Sequence, residues 1–106
     1  MVWRKALSSA IHEIRVVYCP RAAQSKGMRA FVESEYAGIK AANPTLPVYV
    51  RPVEGIEPFL AVRYDRGVYQ RRATSGMGAE DVAAALTQLV ETTPVVADGQ
   101  SLNRAA

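Results

Sequence analysis

The chain has 106 residues, which is enough for one compact domain and too few for two. Apolar residues make up 49% and charged residues 22%, as in an ordinary globular domain, and no run of about 18 apolar residues predicts a membrane span. The formal net charge of +3 comes from basic residues scattered among acids, which argues against a dedicated nucleic-acid partner.

Residues 1–10 are predicted to form a short lead-in to the first strand. This stretch carries Arg4, Lys5 and two serines and has no acidic residue, so it is weakly compatible with a mitochondrial targeting segment. From composition alone, we favour the lead-in.

A strand followed by a helix is predicted next. Residues 11–18 ("IHEIRVVY") are rich in β-branched side chains, and every second residue from Ile14 is apolar or aromatic, as a strand with one buried face requires. Residues 25–42 repeat apolar side chains at helical spacing, with Ser25 as the predicted N-cap. The helix is expected to stop before Pro44, because the residue preceding a proline is disfavoured in helical geometry.

Three more strands and one more helix complete the pattern. The strands are predicted at residues 48–53, 59–64 and 68–73, and the helix at residues 79–92. Pro52 cannot donate to a ladder, which places the second strand at a sheet edge. A turn at residues 65–67 ("DRG") makes the last two strands a hairpin.

The order β-α-β-β-β-α predicts an α/β fold of thioredoxin-like type, with a mixed four-stranded sheet and helices on its faces. The connection at residues 54–58 is too short for the second crossover helix of a full thioredoxin. We expect the domain to cover residues 11–93 and residues 94–106 to form a loose tail.

Cys19 is the one candidate for redox chemistry. It ends the first strand ahead of a helix, where the helix N-terminus and Arg21 could lower a thiol pKa. Ala22 stands where a Cys-x-x-Cys motif would have its second thiol, and the chain has no other cysteine to resolve a mixed disulfide. We favour a packed strand-end residue and keep a monothiol redox protein as an alternative.

No other catalytic, cofactor-binding or metal-binding residue is predicted. His12 is the only histidine, and a metal site needs several converging ligands. A domain of this kind without chemistry acts by binding, and its tyrosines and nearby arginines suit an interface. The candidate interface residues are Arg21, Arg51, Arg63 and Tyr64.

The sequence resembles the small thioredoxin-like accessory subunit of mitochondrial NADH:ubiquinone oxidoreductase, respiratory complex I. The segments that carry the likeness are "EIRVVYC", "RAFVESEY", "ANPTLPVYVR", the "EP" before the third strand and "AVRY" within it. Together they span about residues 11 to 91, and the opening "MVWRKALS" looks like plant and green-algal members.

The resemblance implies a non-catalytic subunit without a cofactor. It would lie on the matrix side of the inner membrane, in the NADH-oxidising module, against the large iron–sulfur subunit, with no nucleic acid bound and no membrane span. Mitochondrial ribosomal proteins share this domain family and form the second hypothesis, but the tail has only Arg104 as a basic residue, whereas those relatives commonly carry basic extensions. Many members also have a second cysteine where this chain has Val53, so a disulfide with Cys19 is not expected.

Overall fold

The structure, a computed structural model, describes residues 11–64 and 68–91. The predicted elements are present in the predicted order, with ends that shift by at most two residues. The strands are β1 (Glu13–Tyr18), β2 (Val48–Pro52), β3 (Phe59–Arg63) and β4 (Tyr69–Ala73), and the helices are α1 (Lys26–Ala42) and α2 (Ala79–Glu91). A single 3-10 turn at Ala23–Ser25 precedes α1. The predicted lead-in at 1–10, the turn at 65–67 and the tail at 94–106 lie outside the described residues.

The four strands form one mixed sheet in the order β2-β1-β3-β4. β1 pairs parallel with β2 and antiparallel with β3, so that Val16 lies opposite Val50 on one side and Leu60 on the other. β3 and β4 form the predicted antiparallel hairpin. The position of Pro52 on the outer strand β2 confirms the edge assignment, since a proline there removes no amide needed by an inner ladder.

The hydrophobic core lies between one face of the sheet and both helices. It joins Val16 and Leu60 from the sheet to Met28 of α1 and Leu86 of α2, all with almost no exposed surface. The two helices also pack against each other. We expected helices on both faces of the sheet, and this was wrong, because both helices bury their apolar sides in the same cluster.

The connection between β2 and β3 explains why the second face has no helix among the described residues. It must pass from β2 across the end of β1 to reach β3, a distance of about 10 Å, or two strand spacings. The Val53 amide donates to the Tyr18 carbonyl at 2.8 Å as the connection begins, and Gly55 turns the chain with a φ of 77°. Residues 53–58 therefore connect β2 to β3 directly, without a helix, as the shortness of this segment predicted.

Ser25 stands at the N-cap position of α1, but its side chain does not cap the helix. Its hydroxyl is buried and accepts a hydrogen bond from the Cys19 amide at 3.0 Å. The 3-10 turn that ends at Ser25 returns the chain to the end of β1, so the hydroxyl bonds to the amide of the residue after the strand and not to the first helical amides. The predicted cap is thus corrected to a contact that joins β1 to α1.

No described helix is long and apolar enough to cross a membrane.

Gly27, in the first turn of α1, allows a close approach between α1 and the loop before α2. A Cβ atom built at this position would lie 1.7 Å from the Met77 carbonyl oxygen. The same loop is tied to the helix entry by a hydrogen bond from the Gly76 amide to the Gln24 carbonyl at 3.0 Å. Backbone sits on both sides of this contact, so a rotamer change cannot relieve it.

Replacement of Gly27 by alanine should therefore destabilise the protein by about 1–3 kcal/mol, through forced separation of the two segments. The direction of the change in stability is diagnostic, because replacing glycine by alanine inside a helix otherwise stabilises a protein by about 0.5–1 kcal/mol. Gly78→Ala is the matched control, since its Cβ would have no neighbour closer than 4.0 Å. Thermal unfolding of both variants measures the effect, and an unchanged or raised Tm for Gly27→Ala would contradict the packing.

Candidate interaction surface

The face of the sheet opposite the helices is not covered by any described helix and is the candidate interaction surface. Strand alternation and the pairing register assign its residues, and we call this surface the open face. It comprises Glu13, Arg15 and Val17 of β1, Tyr49 and Arg51 of β2, Phe59, Ala61 and Arg63 of β3, and Tyr69, Arg71 and Ala73 of β4.

A shallow depression of about 410 Å³ occupies the middle of the open face. Val17 and Ala61, on the two inner strands, form its floor and are only 8% and 7% exposed. Larger side chains rise around them, with Tyr49 on β2 and Tyr69 on β4 at opposite sides. The result is a small apolar hollow with a polar and aromatic rim.

Guanidinium groups lie against the aromatic rings of this rim. The Arg15 guanidinium carbon is 5.6 Å from the ring centroids of both Tyr49 and Tyr69. The Arg71 carbon is 3.9 Å from the ring centroid of Phe59. These distances allow cation–π attraction, which holds the cations on the surface and covers part of each ring.

Glu13 fixes one end of the open face. Its carboxylate is almost fully buried and accepts hydrogen bonds from Arg15 Nε at 2.7 Å and from the Tyr69 hydroxyl at 2.9 Å. Burial raises the pKa of Glu13, but these two hydrogen bonds and the charges of Arg15 and Arg63 outweigh it, so the net pKa lies below its ordinary value. Glu13 therefore remains ionised at neutral pH and orients its two donors.

The open face carries a strong excess of positive charge. It holds four arginines and one carboxylate, and that carboxylate already accepts two hydrogen bonds. Within residues 11–64 and 68–91, Arg51 and Arg71 form no ion pair. The two cations are thus available to a partner's carboxylates.

The structure separates the four residues that the sequence nominated for an interface. Arg51 and Arg63 lie on the open face, and the half-buried Arg63 has an Nε with no hydrogen-bond partner. Arg21 is exposed beside the end of β1, where its Nε lies 3.4 Å from a Glu54 oxygen. Tyr64 has no exposed surface, so we leave it out of the proposed surface. Its hydroxyl donates to the Leu89 carbonyl, and burial raises its pKa to about 12.

Cys19 lies beneath the β2–β3 connection and is 3% exposed. Nearby amides of Arg21, Gly55 and Ala22 lower the pKa of its thiol, whereas burial and the Glu54 charge oppose them. The Gly55 amide donates to Sγ at 3.4 Å. The thiol is therefore held by backbone and shielded from reagents, and the chain contains no second cysteine.

No group of three side chains that could hold a metal ion occurs within the described residues.

Sequence reasoning missed most of the open face. Tyr49 and Tyr69 were included only among the tyrosines in general, and Arg15, Phe59 and Arg71 were not nominated, although all five lie in correctly predicted strands. Alternation of apolar and polar residues assigns the side chains of a single strand to two faces. It does not show which face of one strand lies beside which face of the next strand. Only the register across all four strands, together with the placement of both helices, brings these residues onto one surface.

A comparison with known protein families shows the class of protein to which this chain belongs. Residues 28–86 match the family described as "Mitochondrial ribosomal protein L51 / S25 / CI-B8 domain", and the chain belongs to this family.

Particular relatives narrow the class. A protein of Arabidopsis thaliana named "NADH dehydrogenase (ubiquinone) 1 alpha subcomplex subunit 2" is 34% identical, over 86% of this chain and 94% of its own length. The protein of that name in Mus musculus is 31% identical, over 76% of this chain and 81% of its own. The "NADH-ubiquinone oxidoreductase 10.5 kDa subunit" of Neurospora crassa is 24% identical over 86% and 97%. These relatives confirm the resemblance seen in the sequence.

Glu13→Gln should destabilise the protein at neutral pH by about 1–2 kcal/mol, because glutamine replaces a charged acceptor with a neutral one. A carboxylate whose folded pKa is lowered stabilises the fold above its unfolded value, near 4.5, and loses this contribution as pH falls through the folded value. The stability gap between wild type and variant, measured by urea unfolding, should therefore narrow from pH 7 to pH 3.

The exposed Glu57 provides the control, since Glu57→Gln should leave stability unchanged at both pH values. A gap for Glu13→Gln that is equally large at pH 3 and pH 7 would show that the charge of Glu13 is not what stabilises this corner.

Proposed function

We propose that this chain is an accessory subunit of mitochondrial respiratory complex I, the NADH:ubiquinone oxidoreductase, and that its partners are other subunits of that complex. The observation that carries the proposal is the match to the Arabidopsis thaliana subunit, which spans 86% of this chain and 94% of the relative. This likeness covers nearly all of the relative, and its 91 aligned residues extend beyond residues 28–86, the part that matches the shared domain family.

The proposed role is binding without catalysis, on a thioredoxin-like scaffold. Thiol–disulfide turnover needs an accessible thiolate and a second thiol to resolve the mixed disulfide. Cys19 is covered by the β2–β3 connection, and the neighbouring strand end carries Val53 in place of a cysteine. The chain therefore supports assembly or stability of the complex, and the electron transfer itself belongs to other subunits.

We also propose where this chain lies within complex I. The residue blocks quoted for the resemblance favour the matrix side of the inner membrane and the NADH-oxidising module, with the large iron–sulfur subunit as the immediate neighbour. The arginine-rich open face supports a docking role, because it presents cations and an apolar hollow on a surface that no described helix covers.

A mitochondrial ribosomal protein is the second candidate, since the family description names such proteins. The three relatives described above are complex I subunits, which makes the ribosomal role the less supported one.

The proposal predicts that epitope-tagged chain, expressed in mitochondria, co-migrates with assembled complex I on native gels and in sucrose gradients. Mass spectrometry of the co-purified proteins identifies the partners directly. Co-migration with the mitochondrial ribosome would contradict the proposal and favour the second candidate.

Cys19→Ala is the variant that separates binding from redox chemistry. Because the thiol is buried and has no partner cysteine, the variant should enter the complex as efficiently as wild type. Loss of complex I activity with normal assembly would instead support the monothiol hypothesis.

A further inference from the structure

We propose that the open face is the docking site for a short acidic segment of a neighbouring complex I subunit, with one apolar side chain of that segment in the central hollow. The inference rests on the proposed function for the identity of the assembly. The chemistry of the occupant is argued from the surface itself.

Charge defines the first property of the occupant. Four arginines share the open face, and Glu13 is already engaged by Arg15 and Tyr69. Arg51 on β2 and Arg71 on β4 lie on opposite edge strands, so the two cations flank the hollow from both sides. An arginine fork binds carboxylates in a bidentate manner, which makes acidic side chains the matching groups.

The hollow defines the second property. Its floor of Val17 and Ala61 is apolar, and water held there would find few hydrogen-bond partners. A small apolar side chain of the partner would gain by replacing that water. The face spans four strands, or about 14 Å, which suits a short helix or an extended segment better than a broad domain surface.

The rim is already ordered in the free chain, which lowers the cost of binding. Glu13 fixes Arg15 and Tyr69, and the guanidinium of Arg71 rests on Phe59. Side chains that are positioned before association lose less conformational entropy when a partner arrives.

RNA is a poorer match than an acidic peptide. Single-stranded RNA would need free aromatic ring faces on which bases can stack. On the open face, Arg15 lies against Tyr49 and Tyr69, and Arg71 covers Phe59, so bases would have to compete with these cations for the ring faces.

The two ends of this chain and a second copy of the chain also match the open face less well than an acidic peptide does. Residues 1–10 and 92–106 together contain one acidic side chain, Asp98, against three basic ones. A second copy placed face to face would set four arginines against four arginines.

Site-specific photo-crosslinking tests the location of the site. Tyr49 on the open face and Tyr36 on α1 are a matched pair, since their exposed fractions are 37% and 39%. Each is replaced in turn by p-benzoylphenylalanine in full-length chain expressed in mitochondria, and adducts are mapped by mass spectrometry. We expect an adduct from position 49 with a peptide rich in Asp and Glu, and at least about tenfold less adduct from position 36.

A dominant adduct from position 36 would overturn the site. So would an adduct from position 49 with RNA, with a second copy, with residues of the same chain, or with a peptide that lacks acidic residues. An acidic adduct in a protein outside complex I would uphold the surface chemistry and reject the proposed function, so the two failures are distinguishable.

Charge reversal tests the chemistry independently. Arg71 and Arg72 are adjacent and exposed on β4, but only Arg71 lies on the open face. Arg71→Glu should lower the amount of chain in complex I by about tenfold, and Arg72→Glu, with the same change in net charge, should not. Thermal unfolding shows that both variants fold, and equal incorporation of folded Arg71→Glu and Arg72→Glu would overturn the proposal.

Discussion

The short bridge from β2 to β3 is the constraint on which the architecture depends. It crosses the end of β1 within residues 53–58, where a crossover helix cannot form. This crossing buries Cys19, because the Gly55 amide is placed against its sulfur. It also leaves the far side of the sheet without a helix among the described residues. One geometric constraint thus shields the thiol and exposes the face that we propose for docking.

The two sides of the sheet consequently have different composition. On the helix side, β1 and β3 contribute Val16 and Leu60 to a core with almost no exposed surface. On the open face, the same strands contribute small side chains at the centre, while arginines and tyrosines surround them. Glu13 is buried there without loss of its charge, since Arg15 and Tyr69 both donate to it. A buried polar network whose members are hydrogen-bonded holds its side chains in one arrangement, so this corner is ordered before a partner binds.

The sequence was sufficient to predict the strands and α-helices, but not to predict how they pack against one another. Alternation and helical spacing located the four strands and two α-helices of the described residues, although not the 3-10 turn at Ala23–Ser25, and Pro52 correctly marked an edge. Ser25 does occupy the N-cap position, but its hydroxyl accepts from the Cys19 amide and does not cap the helix, a contact that local preference cannot reveal. The open face was missed for the same reason, since strand register decides which arginines meet. Tyr64 was nominated for an interface, but its side chain is fully buried. A tyrosine predicted in a strand suits either an interface or a core, and the sequence alone does not distinguish the two.

The protein is a mixed α/β domain whose proposed role is carried by a surface, while its one thiol is buried. Hydroxyl-radical footprinting of free chain and of the chain within purified complex I tests this claim most directly. Tyr49 and Tyr69 on the open face should become protected from oxidation on assembly, while Tyr36 on α1, which is also exposed in the free chain, should not. Protection of Tyr36 with undiminished oxidation of Tyr49 and Tyr69 would contradict the account.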